Sequence, residues 1–181
     1  MKITLRMDDF DPRIRLSHIR PLHEEFVKRK IPMLVTINNI MGSDYIMDKE
    51  VLDYVNSTDP KSWDIQLHGL EHEKIWTLNK AQVYRDVYCN LELTKRDFIH
   101  SNPTLYCPAW NQTSIFLEQV CKSFGLKVVV ASKTIREFLL NWGTELYESQ
   151  IYYWHWWTPD DVQMIPAVLD KVLKVEQQKD A

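Results

Sequence analysis

Apolar positions recur along this chain with two alternating periods. Short runs rich in β-branched and aromatic residues, at Lys2–Met7, Pro32–Ile37, Trp63–Leu67, Thr104–Pro108, Lys127–Ala131 and Ser149–Trp154, read as strands. Between them lie segments with helical spacing: Ser17–Arg29, Asp48–Asn56, Asn79–His100, Ser114–Phe124, Ser132–Leu140 and Pro159–Val175. Asp48, Asn79 and Thr158 are suited to cap helices, the last with Pro159 at the first helical position. In the segment after Asn79, residues Val83, Val87, Leu91 and Thr94 form one stripe, as on a helix that covers a sheet.

Strand and helix in alternation predict a parallel sheet with helices outside it, in an α/β domain. The candidates are an open doubly wound sheet and a barrel, and both bind ligands beyond the carboxyl ends of their strands. Six expected strands fall short of the eight of a closed barrel, so the expectation is a distorted or incomplete (β/α) barrel with a mostly parallel sheet. No linker, repeat or low-complexity tract divides residues 1–181, which read as a single domain. The chain has only four glycines and no Gly-rich loop after the first strand, which argues against a dinucleotide or phosphate cradle.

A formal charge of −3 without a clustered basic face gives no nucleic-acid footprint. No apolar run is long enough to span a membrane, and a strand begins where a leader would stand, so a cytoplasmic setting is expected. Cys89, Cys107 and Cys121 lack CxxC spacing and indicate neither a disulfide framework nor a thiolate zinc site.

The polar residues with chemistry to offer collect at the carboxyl ends of the expected strands. The first strand runs into "RMDDF", and Asp8, Asp9 and Asp11 fall within four positions, a cluster that needs positive charge to hold it together. The third runs into "HGLEHE", the fourth ends in "YCPAW" and the last in "YYWHWW". If the chain turns helical after Leu67, His68 and His72 share a face one turn apart. With Asp9 as a third ligand they make a donor set suited to zinc and other borderline metals, with a coordination position left for water. The plainer reading is two loop histidines. Adjacent strand residues point to opposite faces, so Asp8 and Asp9 can share a site only if the strand bends between them.

These motifs resemble those of the polysaccharide deacetylases, the NodB-homology group also called carbohydrate esterase family four. An Asp-Asp pair ending the first strand is matched by "RMDDF" and His-x-x-x-His after the third by "HGLEH". A Pro-containing third motif is matched loosely by "YCPAW", and a strand-end His by His155. The order agrees from the first strand to the last. The resemblance implies a metal-dependent hydrolase that removes an acetyl group from an N-acetylated sugar or glycan. Asp9, His68 and His72 would hold one divalent metal, zinc before others. Asp8 would be the general base for the attacking water, and His155 the general acid for the departing amine. The substrate would be a carbohydrate or sugar derivative, met by Tyr106, Pro108, Trp110, Trp154 and Trp156, with Trp157 a further aromatic candidate; core packing competes for each indole. Backbone amides after Pro108 could face the oxyanion.

The chain departs from the family pattern in three places. Phe10 stands where a Gly usually follows the Asp pair, and Tyr106 where an Arg usually orients the base. No clear equivalent of the Asp that orients the catalytic His appears in "VVVASKTIREF"; Asp160 and Asp161 read instead as helix N-terminal charges. A hydrolase of another small amide, or a carbohydrate-binding domain without turnover, are therefore competing readings. His18, His23 and His100 read as exposed helix residues, and Cys107 as a thiol beside the rim with no base to activate it.

Overall fold

A computed structural model describes residues 3–42, 46–131, 133–140 and 151–177. Lys2, Ser132, Ser149 and Gln150, which belong to the expected elements, lie outside these residues. The strands are β1 (Thr4–Phe10), β2 (Met33–Asn38), β3 (Trp63–Gly69), β4 (Leu105–Tyr106), β5 (Lys127–Val128), β6 (Lys133–Thr134) and β7 (Ile151–His155). The helices are α1 (Leu16–Lys28), α2 (Lys49–Ser57), α3 (Lys80–Asp97), α4 (Ile115–Ser123), α5 (Ile135–Leu140) and α6 (Pro159–Gln177). Every expected strand and helix is present to within a few residues. The exception is β6, two residues at the front of what reads in sequence as one helix.

Among the described residues all pairings are parallel, and the strand order is β5-β4-β3-β2-β1-β7-β6. That is the cyclic order of a barrel opened between β5 and β6: a curled half-barrel, not a doubly wound sheet. Arg6 of β1 reaches the turn after β4, where its Nη2 donates to Asn111 Oδ1 at 2.7 Å, a contact that spans the concave side.

Strand alternation sorts the side chains by face. Leu5, Met7, Met33, Val35, Ile37, Ile65, Tyr152 and Trp154 belong to one buried core with α1, α2, α5 and α6. Leu67 and Tyr106 join a second core with Val83, Val87 and Leu91 of α3 and Leu117 of α4. The expected stripe of α3 is the buried one. Its start is closed by a reciprocal cap, Gln82 N donating to Asn79 Oδ1 at 3.1 Å and Asn79 N to Gln82 Oε1 at 2.9 Å. Arg6, Asp8, Thr36, Gln66 and His68 occupy the opposite face of the sheet and are buried with the rim above them. Among the described residues no helix is long and apolar enough to cross a membrane.

Candidate active site and metal centre

Three carboxylates at the end of β1 coexist because they face different partners, two of them a guanidinium each. Asp8 accepts two hydrogen bonds from Arg6, from Nε at 2.6 Å and Nη2 at 2.7 Å, and a third from Thr36 Oγ1 at 3.0 Å. Asp11 accepts from the Arg13 backbone N–H at 2.9 Å and from its guanidinium at 2.6 Å. Asp9 turns toward the imidazoles. The bend that the sequence demands lies at this residue: its φ is +58°, and the β1–β2 register shifts between Met7 and Phe10. A left-handed backbone at a non-glycine residue costs roughly 1–2 kcal/mol. Trp156 Nε1 donates to the Asp9 carbonyl at 2.6 Å and holds the bend.

His68 and His72 converge on Asp9, but not through helical spacing. His68 is still in β3, and the chain then turns at Gly69, whose φ is +133°. A Cβ there would stand 2.9 Å from Glu71 O and 3.3 Å from the Tyr106 hydroxyl, so the turn requires glycine. Asn38 Nδ2 donates to Gly69 O at 3.2 Å, and Leu70 N to Asp86 Oδ2 at 2.9 Å. Tyr106 completes the brace, its hydroxyl donating to Asp86 Oδ1 at 2.6 Å. Burial pushes the Asp86 carboxyl up to about 6, against the hydrogen bonds that favour its anion.

The donors fit a divalent cation. Among the described residues Asp9 Oδ1 is buried without a hydrogen-bond partner, and it lies 3.4 Å from His68 Nε2 and 3.3 Å from His72 Nε2. Ligand atoms about 2.0–2.1 Å from a tetrahedral metal stand about 3.3–3.4 Å from one another. His68 Nδ1 donates to the Cys107 carbonyl at 2.5 Å, which leaves Nε2 of the neutral ring as an acceptor directed at Asp9. Burial opposes ionisation of Asp9, yet the facing imidazoles of His68, His72 and His155 favour its anion and hold it below the usual carboxylate range. Burial likewise opposes a charge on His68, but Asp8 and Asp9 outweigh it and raise its pKa; on His72 burial prevails and lowers it.

His155, at the end of β7 and in register with Asp8, closes the far side, its Nε2 4.0 Å from Asp9 Oδ2. Asp161 of α6 accepts from the His155 backbone N–H at 3.2 Å and not from the ring. Trp157, 52 % exposed, lies against the His155 ring at 4.7 Å, and its Nε1 donates to Asp9 Oδ2 at 3.2 Å. On the opposite side Trp110, 56 % exposed, lies 5.3 Å from the His72 ring. Trp110 and Asn111 both adopt left-handed backbone, with φ of +62° and +54°. Such paired strain persists only where surrounding contacts hold it in place, and it collects at functional sites.

The geometry gives several of the expected residues structural contacts. Tyr106 and Trp154 are each 1 % exposed and cannot meet a substrate: Tyr106 braces the His68–His72 turn, and Trp154 packs beside Phe26 beneath the sheet. Pro108 is buried at the start of the Ala109–Asn111 turn. Trp156 serves the bend at Asp9 and stacks on His18 at 5.0 Å. The Cys107 thiol is buried, and burial pushes it up to about 11, which makes it inert. His23 is buried rather than exposed, stacked on Trp63 at 3.9 Å between Tyr54 and Ser62. Arg6 escaped the sequence reading although its signal was there, since an Arg two residues before Asp8 on one strand shares its face.

No family model matches the sequence, and no curated protein matches it. Solved structures do. A family 4 carbohydrate esterase from Streptomyces lividans in complex with acetate superposes with a TM-score of 0.74 at 14 % identity, covering 97 % of this chain and 88 % of that one. This chain has the fold of the family 4 carbohydrate esterases. The chitin deacetylase of the fungal pathogen Colletotrichum lindemuthianum is similar, with a TM-score of 0.75 at 12 % identity over 96 % of this chain and 81 % of that one. A family 4 pseudoenzyme from Bacillus anthracis gives 0.76 at 9 % identity, and this chain spans about 60 % of its length.

Proposed function

We propose that this chain is a metal-dependent hydrolase that removes an acetyl group from an N-acetylated sugar or glycan. The observation that carries the reading is the unpaired, buried Asp9 Oδ1 facing two imidazole Nε2 atoms, one residue away from a carboxylate held in a guanidinium fork. Asp9, His68 and His72 would hold the metal, and an aspartate with two histidines suits zinc. A bound dication supplies Lewis acidity, bringing the pKa of water toward neutrality and polarising the acetyl carbonyl.

The remaining steps belong to side chains. Asp8 Oδ2 carries a single described hydrogen bond, from Arg6, and keeps a lone pair for the proton of the attacking water. As the water oxygen bonds to the acetyl carbon, Asp8 takes that proton. His155, on the other side of Asp9, protonates the sugar nitrogen as the C–N bond breaks, which releases acetate and a free amine. Trp110 and Trp157 flank the site with exposed indole faces on which a sugar ring can stack.

Likeness to a pseudoenzyme favours a second reading, in which the fold binds carbohydrate without turnover. Chelation separates the two. Protein loaded with zinc should release acetate from chito-oligosaccharides, lose that activity on dialysis against a chelator and regain it with zinc. Binding of the oligosaccharide with no acetate released at any metal loading would favour the second reading.

A further inference from the structure

The Asn111 side chain stands at a junction. Its Oδ1 accepts from Arg6 Nη2 at 2.7 Å, the same nitrogen that donates to Asp8 Oδ2, and from the Ala131 backbone N–H beyond β5 at 2.9 Å. Its backbone is the second of the two left-handed residues that turn Trp110 outward beside His72. One residue thus touches the group that fixes Asp8 and shapes the turn that presents the indole. Left-handed backbone alone would be met best by glycine; asparagine and aspartate tolerate it and also supply an acceptor. Arg6 is wholly buried, so its fork has no solvent to fall back on when that acceptor is removed.

We propose that Asn111 is a positioning residue that couples the orientation of Asp8 to the placement of Trp110, so that base and sugar platform are set as one unit. The inference rests on the hydrolase reading for its kinetic consequences but not for its geometry. Arg6, an element of β1, orients the carboxylate; Asn111 keeps Arg6 from turning away and transmits its position to the turn.

Substitutions separate the acceptor from the backbone. In zinc-loaded protein, Asn111→Gly should lower kcat and raise KM for chito-oligosaccharides together, with kcat/KM down about 10²-fold, the scale of a misplaced catalytic group, and metal content unchanged. Asn111→Asp keeps the acceptor and should restore activity to within a few-fold of wild type. Trp110→Ala should raise KM alone. If Asn111→Gly equals wild type, the residue serves only its backbone and the proposal fails. Should the glycine variant not fold, a double-mutant cycle of Arg6→Lys with Trp110→Ala decides: non-additive effects on kcat/KM support coupling, and additive effects overturn it. Crystal structures of wild type and Asn111→Gly give a reading free of activity. Joint displacement of the Asp8 carboxylate and Trp110 is expected, and either one unmoved contradicts the coupling. A wild type that releases no acetate, with that joint displacement seen, would sink the hydrolase reading alone.

Discussion

At Asp9 backbone and side chain meet one requirement together. The left-handed turn swings its carboxylate away from Asp8, toward His68 and His72, and the Trp156 and Trp157 indoles hold its carbonyl and its second oxygen. His68→Ala or His72→Ala should remove most of the bound metal, measured by elemental analysis; a double variant with wild-type stoichiometry would show the site misassigned. Since His68 carries a raised pKa and must shed its proton to bind a cation, metal affinity should fall as pH drops through the imidazole range, a trend isothermal titration can follow. Gly69→Ala tests the turn itself: a Cβ 2.9 Å from Glu71 O on a backbone at φ +133° should cost about 1–3 kcal/mol and weaken metal binding. The histidines were legible in sequence, though for another reason than the one found. Four-residue spacing suits a helix, whereas here a strand end and a glycine turn bring the rings together. Arg6 is the reverse case: strand alternation puts it on the face of Asp8, but its reach to Asn111 after β4 depends on the fold and has no signal in the sequence.

Elements were legible where their periodicity is long. The stripe of α3 and the runs of β1, β2 and β3 announce themselves, while β6 has two residues and no room for a pattern. His23 shows what periodicity cannot convey: a polar residue on α1 is buried because Tyr54 of α2 and Ser62 before β3 hydrogen-bond both ring nitrogens, at 2.9 and 2.8 Å. Burial lowers its pKa from 6.5 to about 4. Above the unfolded value the ring is neutral in both states and the contact contributes in full. As pH falls toward the folded value the unfolded chain takes the proton first, and stability is lost by up to about 1.4 kcal/mol per pH unit. Urea unfolding at pH 7 and pH 5 should show a larger loss for wild type than for His23→Gln, and equal losses would refute the assignment. The Tyr106 brace predicts that Tyr106→Phe, which leaves buried Asp86 short of a donor, destabilises the fold by about 1–3 kcal/mol and loosens the His68–His72 turn.

At the scale of the molecule the strand order does the gathering. A parallel half-barrel open between β5 and β6 sets the ends of β1, β3, β4 and β7 on one rim, so residues distant in sequence meet around Asp9. The alternation of strands and helices, and a strand number short of eight, made this incomplete parallel barrel readable from the sequence; the strand order, which only the pairing reveals, was not. On the proposed reading Asp8 and Asp9, neighbours in sequence, do different work: one takes a proton and the other holds the metal. This division is tested most directly by acetate release from N-acetylated chito-oligosaccharides, with zinc content measured on the same samples of wild type, Asp8→Asn and Asp9→Asn. Asp8→Asn should keep its metal and lose about 10²–10⁴-fold in rate, as loss of a general base typically costs, whereas Asp9→Asn should lose the metal itself. An Asp8→Asn variant that stays fully active, or an Asp9→Asn variant that binds zinc as wild type does, would contradict the account.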